Sequence, residues 1–285
     1  MQQYTELLED IFRTGEDSLD RTGTGTRRVF GRSIFFDLRD GFPAVTHKWL
    51  NWHSVRSELL WFMRGHTNEK ELARIQHGQP QTAKSTIWTK NAEVQGKKLY
   101  PRNPGALGPV YGHQWRNLGV DQLARAADQL RNDRSSRRII VDSWNVEQLE
   151  EMALPPCNMM FQFFVDNKED LHAQVYIRSW DFILGAPYNI ASYAALIHLM
   201  AQWADLNPGS LRIVSGDTHI YHDHLEAVEE ILSRPQHPLP SLNLGINTLP
   251  ASDQSFDDWV RAIQPSDLEL VDYHHEPRIR LNMSA

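Results

Sequence analysis

MMFQFFV-DNKED-LHAQVYI, residues 159–177, is the stretch on which the fold turns. Two runs rich in apolar, aromatic and β-branched side chains flank DNKED (166–170), a polar turn, and this pattern predicts a β-hairpin. Behind it, IASYAALIHLMAQWADL (190–206) predicts a long apolar helix ended by Asn207-Pro208-Gly209, and LRIVSGD (211–217) predicts another strand. Ahead of it, RRVFGRSIFFDL (27–38) alternates like a strand, with Gly31 where a bulge would fit. HSVRSELLWFMRG (53–65) reads as a helix stopped by Gly65, VDQLARAADQLRND (120–133) as a helix and RRIIVDSW (137–144) as a strand. A first helix over 4–13, a helix in HDHLEAVEEILSR (222–234) and a Pro-rich tail from 236 complete the pattern. Strands and helices mix without strict βαβ alternation. The expected class is therefore α+β, with a large mixed sheet and surrounding helices.

The 285 residues carry 29 Lys+Arg against 36 Asp+Glu, a formal net charge of −7. That balance offers no footprint for long nucleic acid, although a local basic pocket can still take one phosphate. The apolar share of 41% is enough for a packed core, which argues against a disordered chain. Residues 92–108 (AEVQGKKLYPRNPGALG) read as a surface excursion rather than a linker, because apolar elements resume at once. The chain is thus expected to form a single domain, 1–285, with an insertion near 92–106. The single cysteine, Cys157, excludes an internal disulfide and a cysteine-based zinc site. MQQYTELLEDIF, at the N-terminus, is amphipathic and acidic, unlike a secretory signal or presequence. No apolar run approaches the roughly 20 residues of a membrane span. A soluble cytoplasmic protein without membrane contact is expected.

Candidates for chemistry are scattered along the chain. Cys157 lies in LPPCN, between a Pro-Pro turn and a strand. A lone cysteine is most often a small buried hydrophobe, but neighbouring cations favour its thiolate, and Arg178 begins the string RSWD not far downstream. Arg21 in DRTGTGT, the pair Arg137-Arg138, and Arg178 with Ser179 are each ordinary solvated groups if taken alone. Together they can clamp a phosphate dianion. RTGTGT is neither a Walker loop nor a dinucleotide fingerprint. GDTHIYHDH (216–224) carries His219, His222 and His224, yet no paired carboxylate or HExxH pattern accompanies them, so no metal is expected. Asp217 and Thr218 read there as caps of a strand-to-helix junction, and His219 with Tyr221 as ligands of a hydroxyl. In DFILGAPYNIAS (181–192), the amide of Asn189 offers a donor and an acceptor, which suits a pyrimidine edge.

DRTGTGT, ELLWFMRG, LGPVYGHQW, SRRIIVDSWN, LPPCN, RSWDFILGAPYNIASY and SGDTHIYHDH follow one another in the order and spacing of thymidylate synthases, which the chain resembles over essentially its whole length. The resemblance implies that family's fold and a homodimer whose sheets pack face to face. It implies that dUMP and 5,10-methylenetetrahydrofolate are the substrates and that Cys157 is the nucleophile adding to C6 of the pyrimidine. It implies a phosphate site of Arg21, Arg178 and Ser179, completed by Arg137 and Arg138 from the other subunit. Asn189 corresponds to the reader of the uracil edge; relatives acting on dCMP carry Asp there. His219 and Tyr221 correspond to ligands of the sugar 3′-hydroxyl, and Glu58 and Tyr111 to organisers of proton transfer and water. Trp88, Leu154, Asp181, Leu184, Gly185 and Tyr188 correspond to the folate-facing wall.

Five departures lie near the part of the pocket that controls water and closure. Asn158 stands where a His usually follows the nucleophile, Ile177 replaces a Gln, Trp180 replaces a small residue, Trp49 takes a usually basic place, and the chain ends Met-Ser-Ala. Asn158 and Ile177 resemble phage hydroxymethylases, in which water quenches the exocyclic methylene. The expectation therefore tips to 5-hydroxymethylation of dUMP, with reductive methylation to dTMP as the alternative. A catalytically idle nucleotide- or RNA-binding homologue is a third reading, opposed by the retained Cys157, Glu58, Asn189 and arginines.

Overall fold

A computed structural model describes residues 1–19, 23–78, 84–251 and 253–281. Among them, six strands form one sheet: β1 (Glu16–Ser18), β2 (Thr26–Asp37), β3 (Ile140–Asp142), β4 (Asn158–Val165), β5 (Asp170–Asp181) and β6 (Asn207–Tyr221), in the order β1-β2-β6-β5-β4-β3. Neighbours run antiparallel except β5 and β6, which are parallel, so the mixed sheet of an α+β protein is present. The hairpin lies where the turn chemistry put it. The Asp166 carboxylate accepts the backbone N–H groups of Lys168 and Asp170, and Glu169 adopts a left-handed φ of 63°. Along β5, Ala173, Val175 and Ile177 face the core while Gln174 and Tyr176 face out, the period of two that a half-buried strand requires.

The long helix spans Gly185–Ala204, starting before its most apolar stretch because the Asp181 carboxylate accepts the N–H groups of Ile183 and Leu184 and turns the chain into it. It is apolar around most of its circumference, as a helix covered by other elements must be. Asn207-Pro208-Gly209 does not form the loop expected of it; the three residues open β6. Proline is tolerated there because it stands at the strand's start, beside an irregularity in the pairing with Leu171 and His172. β6 then continues through Tyr221, so Asp217 and Thr218 lie inside a strand and cap nothing, contrary to expectation. Gly31 takes a φ of 71° but inserts no extra residue: Phe30 pairs with Asp217 and Arg32 with Ser215 in unbroken register, so there is no bulge.

Helices Gln2–Thr14, Trp52–Met63, Gln122–Asn132 and Leu225–Ser233 stand where periodicity placed them, with Gly65 at a φ of 74° just past the second. The strand expected over 137–144 is shorter, with only Ile140–Asp142 paired. The Pro-rich tail holds more than its composition announces: a two-stranded sheet of β7 (Ser241–Leu244) and β8 (Leu268–Val271), and a helix, Phe256–Ala262, capped by Ser255. Trp259 of that helix is fully buried and donates to the Thr248 carbonyl at 2.9 Å. Residues 89–99 are short helical turns that expose Val94 and Leu99 and bury Ala92.

One sheet face packs under the helices. On the other, Ile140, Gln162, Gln174, Arg212 and Phe35 are successive register partners across β3, β4, β5, β6 and β2. Phe35 and Ile140 of that row are exposed, as are Phe164 and Tyr176 beside it, and the Arg212 guanidinium lies 5.0 Å from the Phe35 ring centre. Among the described residues, no helix is long and apolar enough to cross a membrane.

Candidate active site

Cys157 is placed by the rigid Pro155-Pro156 turn immediately before β4, and the strand begins irregularly. Asn158 pairs with Ile177 and Met160 with Tyr176, so Met159 is an extra residue beside the thiol. Two of the departures, Asn158 and Ile177, are thus register partners. From β5, Arg178 clasps this turn. Its backbone N–H donates to the Cys157 carbonyl at 2.9 Å, its Nε to the Pro156 carbonyl at 2.8 Å and its Nη2 to the Pro155 carbonyl at 3.2 Å. Trp144 lies against the guanidinium, 5.1 Å from ring centre to Cζ. Arg178 thus fixes a cation on the turn that carries the half-buried thiol. The Tyr111 hydroxyl accepts the N–H groups of Cys157 (2.7 Å) and Asn158 (3.3 Å). Burial, followed by the nearby thiol's charge, pushes the Tyr111 phenol well above its ordinary pKa.

Glu58 projects from helix Trp52–Met63 into the same wall. Trp88 Nε1 donates to its Oε1 at 2.6 Å, and burial raises its pKa to about 7 against the pull of that hydrogen bond. A carboxyl titrating near neutrality can both give and take a proton. The Trp88 ring stands edge-on to Tyr111 at 6.2 Å, and Phe62 packs 4.9 Å from Tyr111, so one aromatic wall runs from Glu58 to Cys157. Tyr193, from the long helix, is also pushed up by burial, and its hydrogen bond with the Asn158 side chain opposes the shift. The Asn158 Oδ1 is itself buried without a partner among the described residues.

A second group of side chains is built from the β5–helix junction and the end of β6. Asp181 is the register partner of His219, and the Phe182 N–H donates to the His219 carbonyl at 2.8 Å. A Cβ on Gly185 would lie 3.6 Å from both Asn189 Oδ1 and Asp181 Cβ, so these three residues close on one another. The Asn189 carbonyl oxygen accepts from Trp180 Nε1 at 3.1 Å. Tyr188, one residue earlier, has its phenol raised by burial while its oxygen takes the backbone N–H of Asn51, and it lies close enough to Glu58 to feel that charge. His219 Nδ1 is 2.7 Å from Asp217 Oδ1; burial opposes ionisation of that carboxyl, but His219 and Arg28 hold it below the usual range. The Tyr221 ring stands edge-on to His219 at 5.3 Å. Leu184, at the helix start, and Leu154, just ahead of the Pro-Pro turn, are partly buried at the rim.

A family model described as "Thymidylate synthase" matches residues 2–285. "Thymidylate synthase" of Enterobacteria phage T4 is 43% identical over 291 residues, and "Probable thymidylate synthase" of Escherichia phage T5 is 43% identical over 286; both alignments cover 100% of each chain. The chain belongs to the thymidylate synthase family. As a member of that family it is a one-carbon transferase. "Bifunctional dihydrofolate reductase-thymidylate synthase" of Zea mays is 40% identical over 300 residues, covering 99% of this chain and 54% of that one. The crystal structure of thymidylate synthase from T4 phage superposes with a TM-score of 0.92 at 42% identity, over 100% of both chains.

Against the family's pattern, the fold gathers Cys157, Asn158, Tyr111, Glu58, Trp88 and Arg178 in one group and Asp181, Gly185, Asn189, Tyr188, His219 and Tyr221 in another, with Tyr188 near Glu58. Ser179 sits between Arg178 and Trp180 on β5, opposite Asp217 of β6. Arg137 and Arg138 are not drawn in. Both are exposed at the edge beside β3, and neither guanidinium has a hydrogen-bond or ion-pair partner among the described residues. Arg21 and the Met-Ser-Ala end lie outside the described residues. Trp49 stacks under Arg278, 5.5 Å from ring centre to Cζ. His222 contacts Asp17 at 3.2 Å and His224 contacts Asp223 at 3.6 Å; no group of three His, Cys, Asp or Glu among the described residues is placed to hold a metal. Sequence reasoning missed Lys48. It is buried, donates from Nζ to the Ile183 carbonyl at 2.6 Å, and burial lowers its pKa to about 8 despite Asp181 nearby. Its one signal was a lysine inside the otherwise largely apolar run AVTHKWL (44–50).

Proposed function

We propose that this chain is a thymidylate synthase, converting dUMP to dTMP with 5,10-methylenetetrahydrofolate as one-carbon and hydride donor, through a covalent bond between Cys157 and C6 of the base. The observation that carries this reading is the continuous wall joining a cation-clasped cysteine to a carboxyl that titrates near 7. Carbon 5 of uracil is a poor nucleophile until a thiolate adds at C6 and makes it an enolate carbon. Cys157 supplies that thiolate, with Arg178 fixed beside it. Glu58 handles protons at the base and Tyr111 holds the nucleophile's backbone in place. Asn189 reads the uracil edge, and His219 and Tyr221 bind the 3′-hydroxyl. Arg178, Ser179 and Arg21 hold the phosphate together with Arg137 and Arg138 of a second subunit. The folate supplies the one-carbon unit and then a hydride. Trp88, Leu154, Asp181, Leu184, Gly185 and Tyr188 would hold it, and they suit a flat heteroaromatic ring, offering one carboxylate for N–H groups among apolar faces.

The names of the phage relatives support reductive methylation over hydroxymethylation. So does the maize relative, because a reductase in the same chain consumes the dihydrofolate that only reductive methylation makes. On the side of hydroxymethylation stands the unpartnered Asn158 Oδ1, a place for water next to the nucleophile. The exposed row from Ile140 to Phe35 supports a homodimer formed through the sheet face. Residues 1–285 act as one catalytic domain, with 92–106 as a surface insertion, in the cytoplasm, which is that of the host cell if the chain is phage-encoded. The test is a product assay with dUMP and methylenetetrahydrofolate. A nucleotide heavier by CH₂, with one dihydrofolate formed per turnover, is expected. A gain of CH₂O without dihydrofolate would replace this reading with hydroxymethylation, and tight dUMP binding without turnover would replace it with an idle homologue.

A further inference from the structure

Trp180 is not accounted for by the chemistry above, yet it is closely held. It is 1% exposed on β5, its ring meets Phe182 edge-to-face at 5.0 Å and 89°, and Phe182 stacks on Tyr4 at 5.1 Å and 14°. Tyr4 is tied in turn, its hydroxyl donating to the Phe182 carbonyl at 3.3 Å. The indole therefore has one pose, and in that pose its Nε1–H donates to Asn189 Oδ1 at 3.1 Å.

We infer that Trp180 is a positioning residue that fixes which way the Asn189 amide faces and so sets a preference for 4-oxo over 4-amino pyrimidines. The inference rests on the reading that Asn189 meets the base edge. An indole N–H only donates, so the amide oxygen must face it. The flipped amide would set two donors against each other and leave a buried N–H unpaired. With the oxygen held, Nδ2 and the second lone pair of Oδ1 remain for the ligand, a donor and an acceptor in fixed order. Uracil presents a C4 oxygen and an N3–H, the complement of that order. Cytosine presents a C4 amino group and a bare N3, and would require the amide turned over. A residue without an N–H at 180 removes the penalty for turning it.

The experiment compares kcat/KM for dUMP with the inhibition constant of dCMP in Trp180→Phe and in a variant carrying benzothienylalanine at 180, which keeps the bicyclic shape and lacks the N–H. Asn189→Asp is measured alongside. Discrimination between dUMP and dCMP should fall about tenfold in both Trp180 variants, the factor set by one unpaired buried donor. Unchanged discrimination in the benzothienylalanine protein overturns the proposal, as does an equal loss toward both nucleotides. If Asn189→Asp also leaves discrimination unchanged, the base-reading role of Asn189 falls first. If it shifts discrimination and the Trp180 variants do not, only the role of Trp180 falls.

Discussion

The wall around Cys157 and the sheet edge at Arg137-Arg138 both carry polar groups proposed to meet one nucleotide, but the chain treats them differently. Glu58, Asn189 and the Cys157 backbone are each held by a partner of their own chain at 2.6, 3.1 and 2.7 Å. Arg137 and Arg138 are exposed, and their guanidiniums have no partner among the described residues. A buried polar group left unpaired costs about 1–3 kcal/mol, whereas a solvated arginine costs almost nothing. The protein therefore holds the proposed acid, nucleophile and base reader in place within one chain and leaves two solvated cations at an edge. That edge borders β3, where the exposed row beginning at Ile140 starts. On the proposed reading the contrast divides the labour: bond-making is complete in one subunit, and charge neutralisation is completed from a second.

The contrast can be broken at several strengths. Removing the nucleophile in Cys157→Ala should cut turnover by more than about a thousandfold while dUMP affinity stays within a few-fold. Release of tritium from C5-labelled dUMP measures the first and calorimetry the second; appreciable residual turnover would remove Cys157 from its role. Glu58→Gln should cost about a hundred- to ten-thousandfold in kcat and erase the rate profile's inflection near pH 7. It should also change stability with a defined sign. Between about pH 4.5 and 7 the folded chain keeps a proton that the unfolded chain has lost, so wild-type stability falls as pH rises through that window. Denaturant titrations of the Gln variant should be flatter there. Arg138→Ala should raise KM for dUMP about tenfold, the scale of one lost charge-assisted bond. Mixing it with the inactive Cys157→Ala protein under exchange conditions should create sites that contain an intact Cys157 and a donated Arg138, and a fraction with the wild-type KM for dUMP should reappear. If mixing restores nothing, the pair serves its own chain and the division of labour is wrong. Smallest is Tyr111→Phe, which strips the acceptor from two backbone N–H groups. A loss of roughly 1–3 kcal/mol in thermal or denaturant stability is expected, with kcat reduced a few-fold.

What could be read in advance follows the same division. The 159–177 hairpin, the helix that bears Glu58 and the Pro-Pro turn that bears Cys157 all announce themselves, because local periodicity and turn chemistry decide them. β6 is longer than its apolar core suggests, because Asn-Pro-Gly ordinarily breaks structure and only pairing with β5 makes it a strand start. The sheet and helix of the 236–281 tail were hidden by prolines, and the Trp259 that anchors them is buried by distant elements rather than by its neighbours. Trp180 and Asn189 meet through a turn that no spacing rule describes. Lys48 differs from a surface lysine only in what covers it. The full family set of site residues was reached through collinear motifs, since composition and spacing alone left Cys157 and the arginines with ordinary alternatives.

The pairing of β2 with β6 also imposes a timetable. Thr26 meets Tyr221 and Asp37 meets Ser210, so β2 is made roughly two hundred residues before the strand that completes it. At about 5–20 residues per second, a ribosome leaves β2 with one long edge uncovered for some ten to forty seconds, and Glu58 waits about seven to thirty seconds for Asn189 and His219. During synthesis β2 is thus the strand most in need of a chaperone. Stalled chains ending before residue 207 should bind a strand-capturing holdase, and chains that have released Tyr221 should let it go.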